Sequence, residues 1–419
     1  MNKKRLGFAG VVASFALAVS ALVAPSANAA TEIVVWADET RGANLKKVLA
    51  VKGDWVTGYT VKVVAFSTFD ALKEAFDKVT GASGPDIVVG PNSWVSAAAK
   101  SGKLAPLTLT AAVKARFNAT QLWELSYKKK LYGMPVDVNN VAMIYNTDLV
   151  KTAPKTFGDM VDVYKSLKTS KGLKAGLCIA GGGMSWGAHS VFSALGADAF
   201  RYNSRDEIIY GRGFTPTVFG NNVRKYLMDG KKSNGFFPAT DVGCKDNFLA
   251  GKVPYAVIGN WEWEDYTAKG FTMNVMPVPG VEAGTYGKMF GSVSGALLTS
   301  FAAKNGSEAG AKSLLVNFFG STEGQVRYQA IEKRPPAEKG AQSDTSVTAA
   351  QRGFGAAAAL SGIPEIGAFL GNNSGGASYW DSAPAYWSSV LVDGKDPIKE
   401  AAKLSLIWKA NVVAGKSDL

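Results

Sequence analysis

The chain alternates short runs of β-branched residues with segments of helical periodicity, and this alternation constrains its fold more than any other feature. Strand-like runs near the start of the chain lie at residues 33–36, 60–66 and 86–89. Between the last two runs, an amphipathic helix is predicted from apolar residues at helical spacing: Phe69, Leu72, Phe76 and Val79. Strands that alternate with helices predict the α/β class with parallel, doubly wound sheets.

The alternation continues to about Gly320. Further strands are predicted at residues 142–145, 176–180, 255–258 and 274–278, and a second amphipathic helix is predicted from Ala311, Leu314, Leu315, Phe318 and Phe319. Beyond Gly320 the pattern is mostly helical to Leu419. Because no low-complexity linker separates the two sets of strands, we expect two lobes joined by strand-like crossovers, which act as hinges.

The N-terminus has the three parts of a secretory signal peptide. Residues 3–5 are basic, residues 7–23 form an apolar run, and residues 27–29 supply the small-residue cleavage pattern Ala-Asn-Ala. A membrane anchor is the alternative, but Pro25 interrupts the run and a cleavage pattern follows it. We therefore expect cleavage near Ala29 and export to the periplasm or the outer face of the cell envelope. Because no cysteine lies at the junction, we expect no lipid anchor.

The charge distribution argues against a nucleic-acid partner. The net charge is +12, or +9 without the three basic residues of the signal peptide. The basic clusters are short, at residues 128–130, 231–232 and 333–334, whereas a nucleic-acid-binding protein concentrates its charge on one face. We interpret these clusters as solvated surface.

The inventory of reactive side chains is small. His189 is the single histidine, which excludes a multi-histidine metal centre, and no G-x-S-x-G motif is present. Cys178 and Cys244 are the two cysteines, and in an oxidising compartment they form either one disulfide or two separate buried thiols. No metal site and no cofactor are expected.

Trp36 is the last residue of the first predicted strand. Five more of the ten tryptophans follow predicted strands or loops rich in Gly and Asn: Trp94, Trp186, Trp261, Trp263 and Trp380. Ligands of α/β proteins bind beyond the carboxyl ends of strands, so these aromatics should converge on one crevice. Polar side chains near the same strand ends are Asp38, Glu39, Arg41, Asn92, Ser93, Asn139, Asn140 and Glu262. An indole face suits the C–H face of a pyranose, while carboxylates and amides suit its hydroxyls. A core position is the alternative for any single tryptophan.

A set of short landmarks in a defined order runs from about Thr31 to Val413. They lie at residues 33–36, 41–42, 84–88, 102–107, 132–135, 141–146, 248–253, 259–261, 390–391 and 394–395. In this order and spacing the chain resembles the family 1 extracellular solute-binding proteins, most closely the maltose/maltodextrin-binding proteins. The resemblance implies the two-lobed periplasmic-binding-protein fold, with three hinge crossovers, a helical C-terminal portion and a sugar cleft between the lobes.

The resemblance also implies a division of the chain. Residues 1–29 are the signal peptide, residues 30–138 and 286–335 form the N-lobe, and residues 139–285 and 336–419 form the C-lobe, the last part being helical.

Some positions keep the pattern of the maltodextrin binders and others depart from it. Asp38 and Arg41 resemble hydroxyl-binding positions, and Trp186, Trp261 and Trp380 fall where stacking aromatics lie on the C-lobe side. The departures are Asn139 in place of a hinge glutamate, Gly90 in place of a ligand-facing tryptophan, and Ser93-Trp94 in place of an Asp-Arg pair. Trp94 offers an aromatic surface from a shifted position.

The predicted function is the substrate-binding component of an ABC sugar importer, a monomer that delivers an oligosaccharide to a membrane permease and is not an enzyme. Maltose, maltodextrin or another α-glucoside is the expected ligand, and trehalose-like sugars, β-linked sugars and sugar alcohols stay open. A glycosidase is the alternative, with Asp38 or Glu39 facing Glu262 across a scissile bond.

Overall fold

The computed structural model describes residues 30–51, 55–81, 83–202, 208–209, 214–240, 242–267, 273–371 and 376–416. The predicted signal peptide, residues 1–29, lies outside the described residues. No helix in the described part of the chain combines the length and the apolar character that a bilayer span requires.

Fifteen strands occur in the described residues. They are β1 (Thr31–Ala37), β2 (Tyr59–Ala65), β3 (Ile87–Pro91), β4 (Ser126–Tyr127), β5 (Lys130–Leu131), β6 (Gly133–Asn146), β7 (Leu177–Ile179), β8 (Arg201–Tyr202), β9 (Ile208–Ile209), β10 (Met228–Asp229), β11 (Lys232–Ser233), β12 (Tyr255–Gly259), β13 (Met273–Met276), β14 (Met289–Leu298) and β15 (Gly362–Pro364).

Eighteen α-helices occur in the same residues. They are α1 (Glu39–Val51), α2 (Phe69–Lys78), α3 (Val95–Lys100), α4 (Ala111–Lys114), α5 (Ala119–Glu124), α6 (Phe157–Leu167), α7 (His189–Ala194), α8 (Pro216–Leu227), α9 (Cys244–Leu249), α10 (Trp263–Thr267), α11 (Phe301–Lys304), α12 (Glu308–Leu314), α13 (Thr322–Glu332), α14 (Lys339–Gln342), α15 (Ala349–Ser361), α16 (Gly367–Leu370), α17 (Tyr379–Trp387) and α18 (Pro397–Gly415). Short 3₁₀ turns occupy Asn92–Trp94 and Asn260–Glu262, and π-helical turns occupy Gly183–Gly187, Leu315–Phe319 and Ser388–Val392.

Nine strands form one sheet in the order β2-β1-β3-β14-β6-β12-β7, with β13 paired to β6 and β15 paired to β14. β1 is parallel to β2 and β3, and β12 is parallel to β7. β6 and β14 are antiparallel to each other. β6 is also antiparallel to β12, and β14 is also antiparallel to β3. The predicted α/β class is confirmed. Parallel pairs occur on both sides of the sheet, as predicted, but the sheet is mixed because two long antiparallel strands run through its centre.

Those two long strands connect two hydrophobic cores. Met134 and Val136 of β6 belong to the core that also contains β1 and β3, whereas the segment of β6 from Val141 onward belongs to the core built on β12. β14 makes the same passage in the opposite direction, because Phe290 lies in the second core and Val293 in the first. We call the first core the N-lobe core and the second the C-lobe core.

The third passage lies between Ala337, in the N-lobe core, and Phe354 of α15, in the C-lobe core. Three crossovers therefore join the two cores within the described residues, in agreement with the predicted fold. The lobe boundaries that we assigned from the sequence, at residues 138/139, 285/286 and 335/336, stay a prediction.

The locally encoded elements agree with the sequence patterns. α2 begins at Phe69, where the Thr68 hydroxyl accepts a hydrogen bond from the Ala71 amide. Every residue of β12 is buried, as expected of a central strand with a continuous apolar run. β14 was not predicted, because its Gly and Ser residues carry little strand propensity. Past Gly320 the chain is mostly helical, as predicted, apart from the short β15.

The two cysteines form a disulfide. Cys178 on β7 and Cys244 at the start of α9 are bonded, with their Cα atoms 5.6 Å apart. Both side chains are buried in the C-lobe core. The bond fastens α9 to the strand that ends at the glycine-rich turn before Trp186, and the alternative of two separate thiols is wrong.

Candidate functional site

A cleft of about 1100 Å³ lies where the carboxyl ends of β1, β3, β7 and β12 meet the crossover strands β6 and β14. It has one wall from each lobe and a floor from the crossovers. Its lining residues are Asp38, Glu39, Thr40, Arg41, Phe69, Asp70, Pro91, Ser93, Trp94, Asn139, Gly182, Ser185, Trp186, Trp261, Ser292, Ser294, Arg334, Glu365, Gly367 and Trp380.

Most of the predicted ligand-binding residues converge on this cleft, namely Asp38, Glu39, Arg41, Ser93, Trp94, Asn139, Trp186, Trp261 and Trp380. Asn92 and Glu262 are not among its lining residues. Nine of the predicted residues therefore lie in one crevice at the strand ends. Their contacts differ from one position to the next.

The C-lobe wall presents two neighbouring indoles. Trp186 lies in the π-helical turn after β7 and Trp261 in the 3₁₀ turn after β12, and their ring centroids are 5.7 Å apart at an interplanar angle of 43°. Trp261 is 40% exposed. Its ring lies so close to the backbone that a Cβ atom on Gly259 would overlap it. The glycine at the end of β12 therefore lets the indole lie across the strand end.

The Glu262 side chain caps the turn that carries Trp261. Its Oε2 accepts a hydrogen bond of 2.7 Å from the Gly259 amide and closes the first turn after β12. Burial raises the pKa of the Glu262 carboxyl above its usual range, although the Gly259 hydrogen bond opposes this effect. The sequence prediction that Glu262 faces the ligand is therefore not supported by its position, because a capping contact directs the carboxylate toward the backbone.

Trp380, in the first turn of α17, completes the aromatic part of the cleft. Its ring makes an edge-to-face contact with Tyr379 at 5.2 Å and lies 6.5 Å from Phe290. Tyr379 is in turn hydrogen-bonded to Nδ1 of His189, at 3.1 Å. His189 is fully buried, and burial lowers its pKa to about 3, so the imidazole is neutral and structural.

Trp94 differs from these three tryptophans, because its side chain is only 7% exposed. The ring stacks on Phe76 at 6.2 Å and lies 5.2 Å from Phe69. A Cβ atom on Gly90 would lie 2.6 Å from Cε3 of Trp94. Trp94 therefore lines the cleft with a small exposed part of its side chain and is mainly an N-lobe core residue. Whether it offers the ligand an aromatic surface from this shifted position stays a prediction.

The N-lobe wall contains a buried charge network centred on Arg41. Its guanidinium donates to Asp38 (Nη1 to Oδ2, 2.8 Å), to Asp137 (Nη2 to Oδ1, 3.2 Å), to Asn139 Oδ1 (3.2 Å) and to Ser294 Oγ (2.8 Å). Burial works against the charged guanidinium, but Asp137 and then Asp38 outweigh it and raise the pKa of Arg41. Burial also raises the pKa of Asp137, despite Arg41. The network joins the end of β1 to both crossover strands.

Asn139 lies between two arginines. Its Oδ1 accepts from Nη2 of Arg41 and from Nη1 of Arg334, at 3.2 and 3.0 Å, and its amide nitrogen is hydrogen-bonded to Ser294. A neutral amide at this crossover therefore links residues from three segments of the chain. It is 8% exposed, so its main role is to hold the network at the floor of the cleft.

Arg334 is a residue that the sequence interpretation placed on the solvated surface. The structure buries it at the third crossover, where Nε lies 2.9 Å from Oε1 of Glu332. Burial raises the pKa of Glu332 to about 7, although Arg41 and the Asn44 hydrogen bond oppose this effect. The surface assignment is wrong for this position, because the chain turns inward at Arg334 to reach Asn139.

Asn92 points away from the cleft and binds backbone. Its amide nitrogen donates to the carbonyl oxygen of Glu365 at 2.9 Å, which joins the turn after β3 to the segment after β15. The Glu365 carboxylate lines the cleft and accepts a hydrogen bond of 2.9 Å from Nε1 of Trp186. Sequence reasoning missed Ser292 and Ser294 because they lie on β14, whose local strand signal is weak. It missed Glu365 because this residue follows the short β15, which was not predicted.

The arrangement suits a neutral polyhydroxy ligand. One wall has aromatic faces, and the other has carboxylates and amides whose orientations are held by a buried network. Among the residues that the structure describes, no group of three or more His, Cys, Asp or Glu side chains is placed to hold a metal ion.

Comparisons with known proteins agree with this architecture. The profile of the family described as bacterial extracellular solute-binding protein matches residues 54–353. A galactooligosaccharide-binding protein of Bacillus subtilis is 26% identical over 339 residues, which are 77% of this chain and 77% of that protein. A maltooligosaccharide ABC transporter solute-binding lipoprotein of Streptococcus pneumoniae serotype 4 is 26% identical over 282 residues, 65% of each chain.

A solved structure shows the same fold. The crystal structure of a cyclo/maltodextrin-binding protein complexed with maltotetraose superposes with a TM-score of 0.72 at 22% identity, over 92% of this chain and 98% of that one. The family match spans more than half of the chain and includes the first two crossovers and most of the third. The chain therefore belongs to the family of bacterial extracellular solute-binding proteins.

Proposed function

We propose that this protein is the exported substrate-binding component of an ABC sugar importer, and that it holds an oligosaccharide, a maltodextrin or another α-glucoside, in the interlobe cleft. The observation that carries the proposal is the pair of indoles, Trp186 and Trp261, facing a polar N-lobe wall across one cleft. A pyranose places its C–H face on an indole and its hydroxyls toward polar side chains.

The polar partners for the hydroxyls lie opposite the indoles. Glu39 and Asp70 are exposed carboxylates on the N-lobe wall, and hydrogen bonds to ionised groups are about twice as strong as neutral ones. The relatives named above support the class of ligand, since their names specify galactooligosaccharides and maltooligosaccharides.

The three crossovers supply the conformational change. A ligand that touches both walls binds more tightly when the walls approach each other, and it therefore shifts the population toward the closed form. The closed form then docks on the membrane permease. A dissociation constant near micromolar, about −8 kcal/mol, suits a protein that must release its cargo.

The protein acts as a binder and not as a hydrolase. The position of Glu262 supports this part of the proposal. In the glycosidase alternative Glu262 faces Asp38 or Glu39, but its carboxylate caps the turn after β12 and it is not among the cleft residues. Incubation with maltotriose should release no glucose, and protein-dependent glucose release would contradict this part of the proposal.

Export is expected with removal of residues 1–29 and without a lipid anchor, as a monomer. The pneumococcal relative is a lipoprotein by name, so the two proteins differ if this expectation holds. The intact mass of the mature protein tests it: an N-terminus at Ala30 without an added acyl mass is the expected result.

The central test is calorimetric titration of the mature protein with maltose, maltotriose, maltotetraose, a galactooligosaccharide mixture, trehalose, cellobiose and sorbitol. We expect binding of at least one α-linked oligosaccharide with a dissociation constant of about 1–10 µM. Binding of the galactooligosaccharides alone would move the ligand to β-linked sugars, and the absence of heat with every sugar would overturn the proposed function.

A further inference from the structure

The cleft ends at a wall that it shares with a second, smaller groove. Ser93, Glu365 and Gly367 line both cavities. The groove measures about 270 Å³, and Trp123, which is 43% exposed, and Lys128 line it on the far side of the wall. We call these three shared residues the wall.

Glu365 fastens this wall to three parts of the molecule. Its backbone amide donates to the carbonyl oxygen of Gly291 on β14 (3.2 Å), and its own carbonyl accepts from Asn92 of the N-lobe (2.9 Å). Its carboxylate accepts from Nε1 of Trp186 in the C-lobe (2.9 Å) and is also hydrogen-bonded to the Ser93 side chain. The wall is thus held from both lobes and from a crossover.

No space remains between the wall and the N-lobe turn. A Cβ atom on Gly367 would lie 2.9 Å from the carbonyl oxygen of Ser93 and 3.3 Å from its Cβ. A sugar ring is far wider than this separation. The Glu365 carboxylate is hydrogen-bonded to Trp186, so this wall adjoins one of the two indoles of the cleft.

We propose that Glu365 is a specificity-determining residue that closes one end of the cleft, so that the site takes an oligosaccharide by a chain end and rejects cyclic chains. This inference rests on the proposed function and deepens it. A terminal sugar carries a free hydroxyl where an internal sugar carries a glycosidic oxygen. A carboxylate placed to accept from that hydroxyl favours the terminal unit, and its bulk excludes the next unit.

The test compares linear with cyclic probes of the same sugar number. Maltoheptaose and β-cyclodextrin both contain seven glucose units, but only the former has chain ends. Wild-type protein should bind maltoheptaose at least tenfold more tightly than β-cyclodextrin in calorimetric titrations. Glu365→Ala, which removes the carboxylate proposed to accept from the terminal hydroxyl, should reduce this ratio at least fivefold. Glu365→Gln, which keeps the bulk, should retain most of it.

Two further variants complete the design. Glu264→Ala removes an exposed carboxylate of α10 and should leave the ratio unchanged. Glu365→Ser also removes the carboxylate, and it replaces Glu365→Ala if that variant does not fold. An unchanged ratio in the wall variants, with tight wild-type binding of maltoheptaose, overturns the inference and leaves the proposed function standing. Wild-type binding of both probes with equal affinity does the same. If wild-type protein binds neither these probes nor any sugar of the earlier panel, the proposed function and the inference both fail.

Discussion

The indole of Trp94 lies against the backbone of Gly90, and a Cβ atom on that glycine would come within 2.6 Å of the ring. Gly90 and Trp94 are two of the positions at which the chain departs from the maltodextrin-binding pattern. The two departures are therefore coupled. The ring of Trp94 occupies the space beside β3 in which a side chain at position 90 would lie, so this arrangement requires glycine there.

Gly90→Ala should therefore destabilise the N-lobe. Trp94 is held by its packing against Phe76 and Phe69, so the added methyl group forces a strained rotamer or a backbone shift. We expect the free energy of unfolding to fall by about 1–3 kcal/mol, measured by urea denaturation. The double variant Gly90→Ala/Trp94→Leu should show a coupling energy of at least about 0.5 kcal/mol, whereas strictly additive effects would contradict the contact.

Removing either indole of the C-lobe wall should weaken sugar binding. Trp186→Ala and Trp261→Ala each remove a face on which a pyranose would lie, and we expect at least a tenfold rise in the dissociation constant, about 1.4 kcal/mol, by calorimetry. Trp263→Phe is the matched control, because Trp263 packs on Phe354 and is not among the cleft residues. Unchanged affinity in both alanine variants would contradict the stacking arrangement.

Replacement of Arg41 by an uncharged residue should lower the free energy of unfolding, because its buried carboxylate partners lose their counter-ion. Arg41→Met leaves Asp38 and Asp137 buried without their cation, and the expected loss is about 3–5 kcal/mol of unfolding free energy at pH 7. Burial already raises the pKa of Asp137, and without Arg41 its carboxyl binds a proton more readily. The loss should therefore shrink as the pH falls toward 4. Arg41→Lys keeps the positive charge and should lose less unfolding free energy than Arg41→Met at pH 7. An equal loss in both variants would show that the guanidinium hydrogen bonds, and not the charge, stabilise the network.

Glu124 should make stability depend on pH. Burial raises its pKa to about 8, against the hydrogen bond from the Val293 amide and with a smaller contribution from Glu365. The folded protein thus retains a proton that the unfolded chain releases above about pH 4.5, so this group lowers the stability as the pH rises from about 4.5 to 8.

Glu124→Gln removes that titration and keeps the acceptor for Val293. Relative to wild type, the variant should gain about 1–3 kcal/mol by pH 8 and show little gain at pH 5, in denaturant titrations across this range. Glu282→Gln, at an exposed position, controls for the loss of one negative charge. A gain that is equal at both pH values would show that Glu124 does not titrate in this range.

The positions of the strand-end tryptophans can be predicted from local sequence patterns. Trp186 and Trp261 follow β7 and β12 directly through glycine-containing turns, so the strands and the turns that place both indoles are encoded within a few residues. Their convergence on one crevice then follows from the general rule that parallel strands end on the same side of a sheet. The charge network behaves differently, since Arg41 and Ser294 are 253 residues apart and Asn139 and Arg334 are 195 apart.

The sequence by itself determined the α/β class, seven of the nine strands of the large sheet, the mostly helical character beyond Gly320 and the aromatic residues of the cleft. Each of these depends on side-chain periodicity or turn chemistry within a short window. Only the tertiary structure decided that Arg334 turns inward, that Asn92 and Glu262 bind backbone, that Trp94 fills the space above Gly90, and that Glu365 reaches Trp186. Each of these depends on which distant segment lies alongside, and the three crossovers make that choice, one of them through the Gly- and Ser-rich β14, whose local signal is weak.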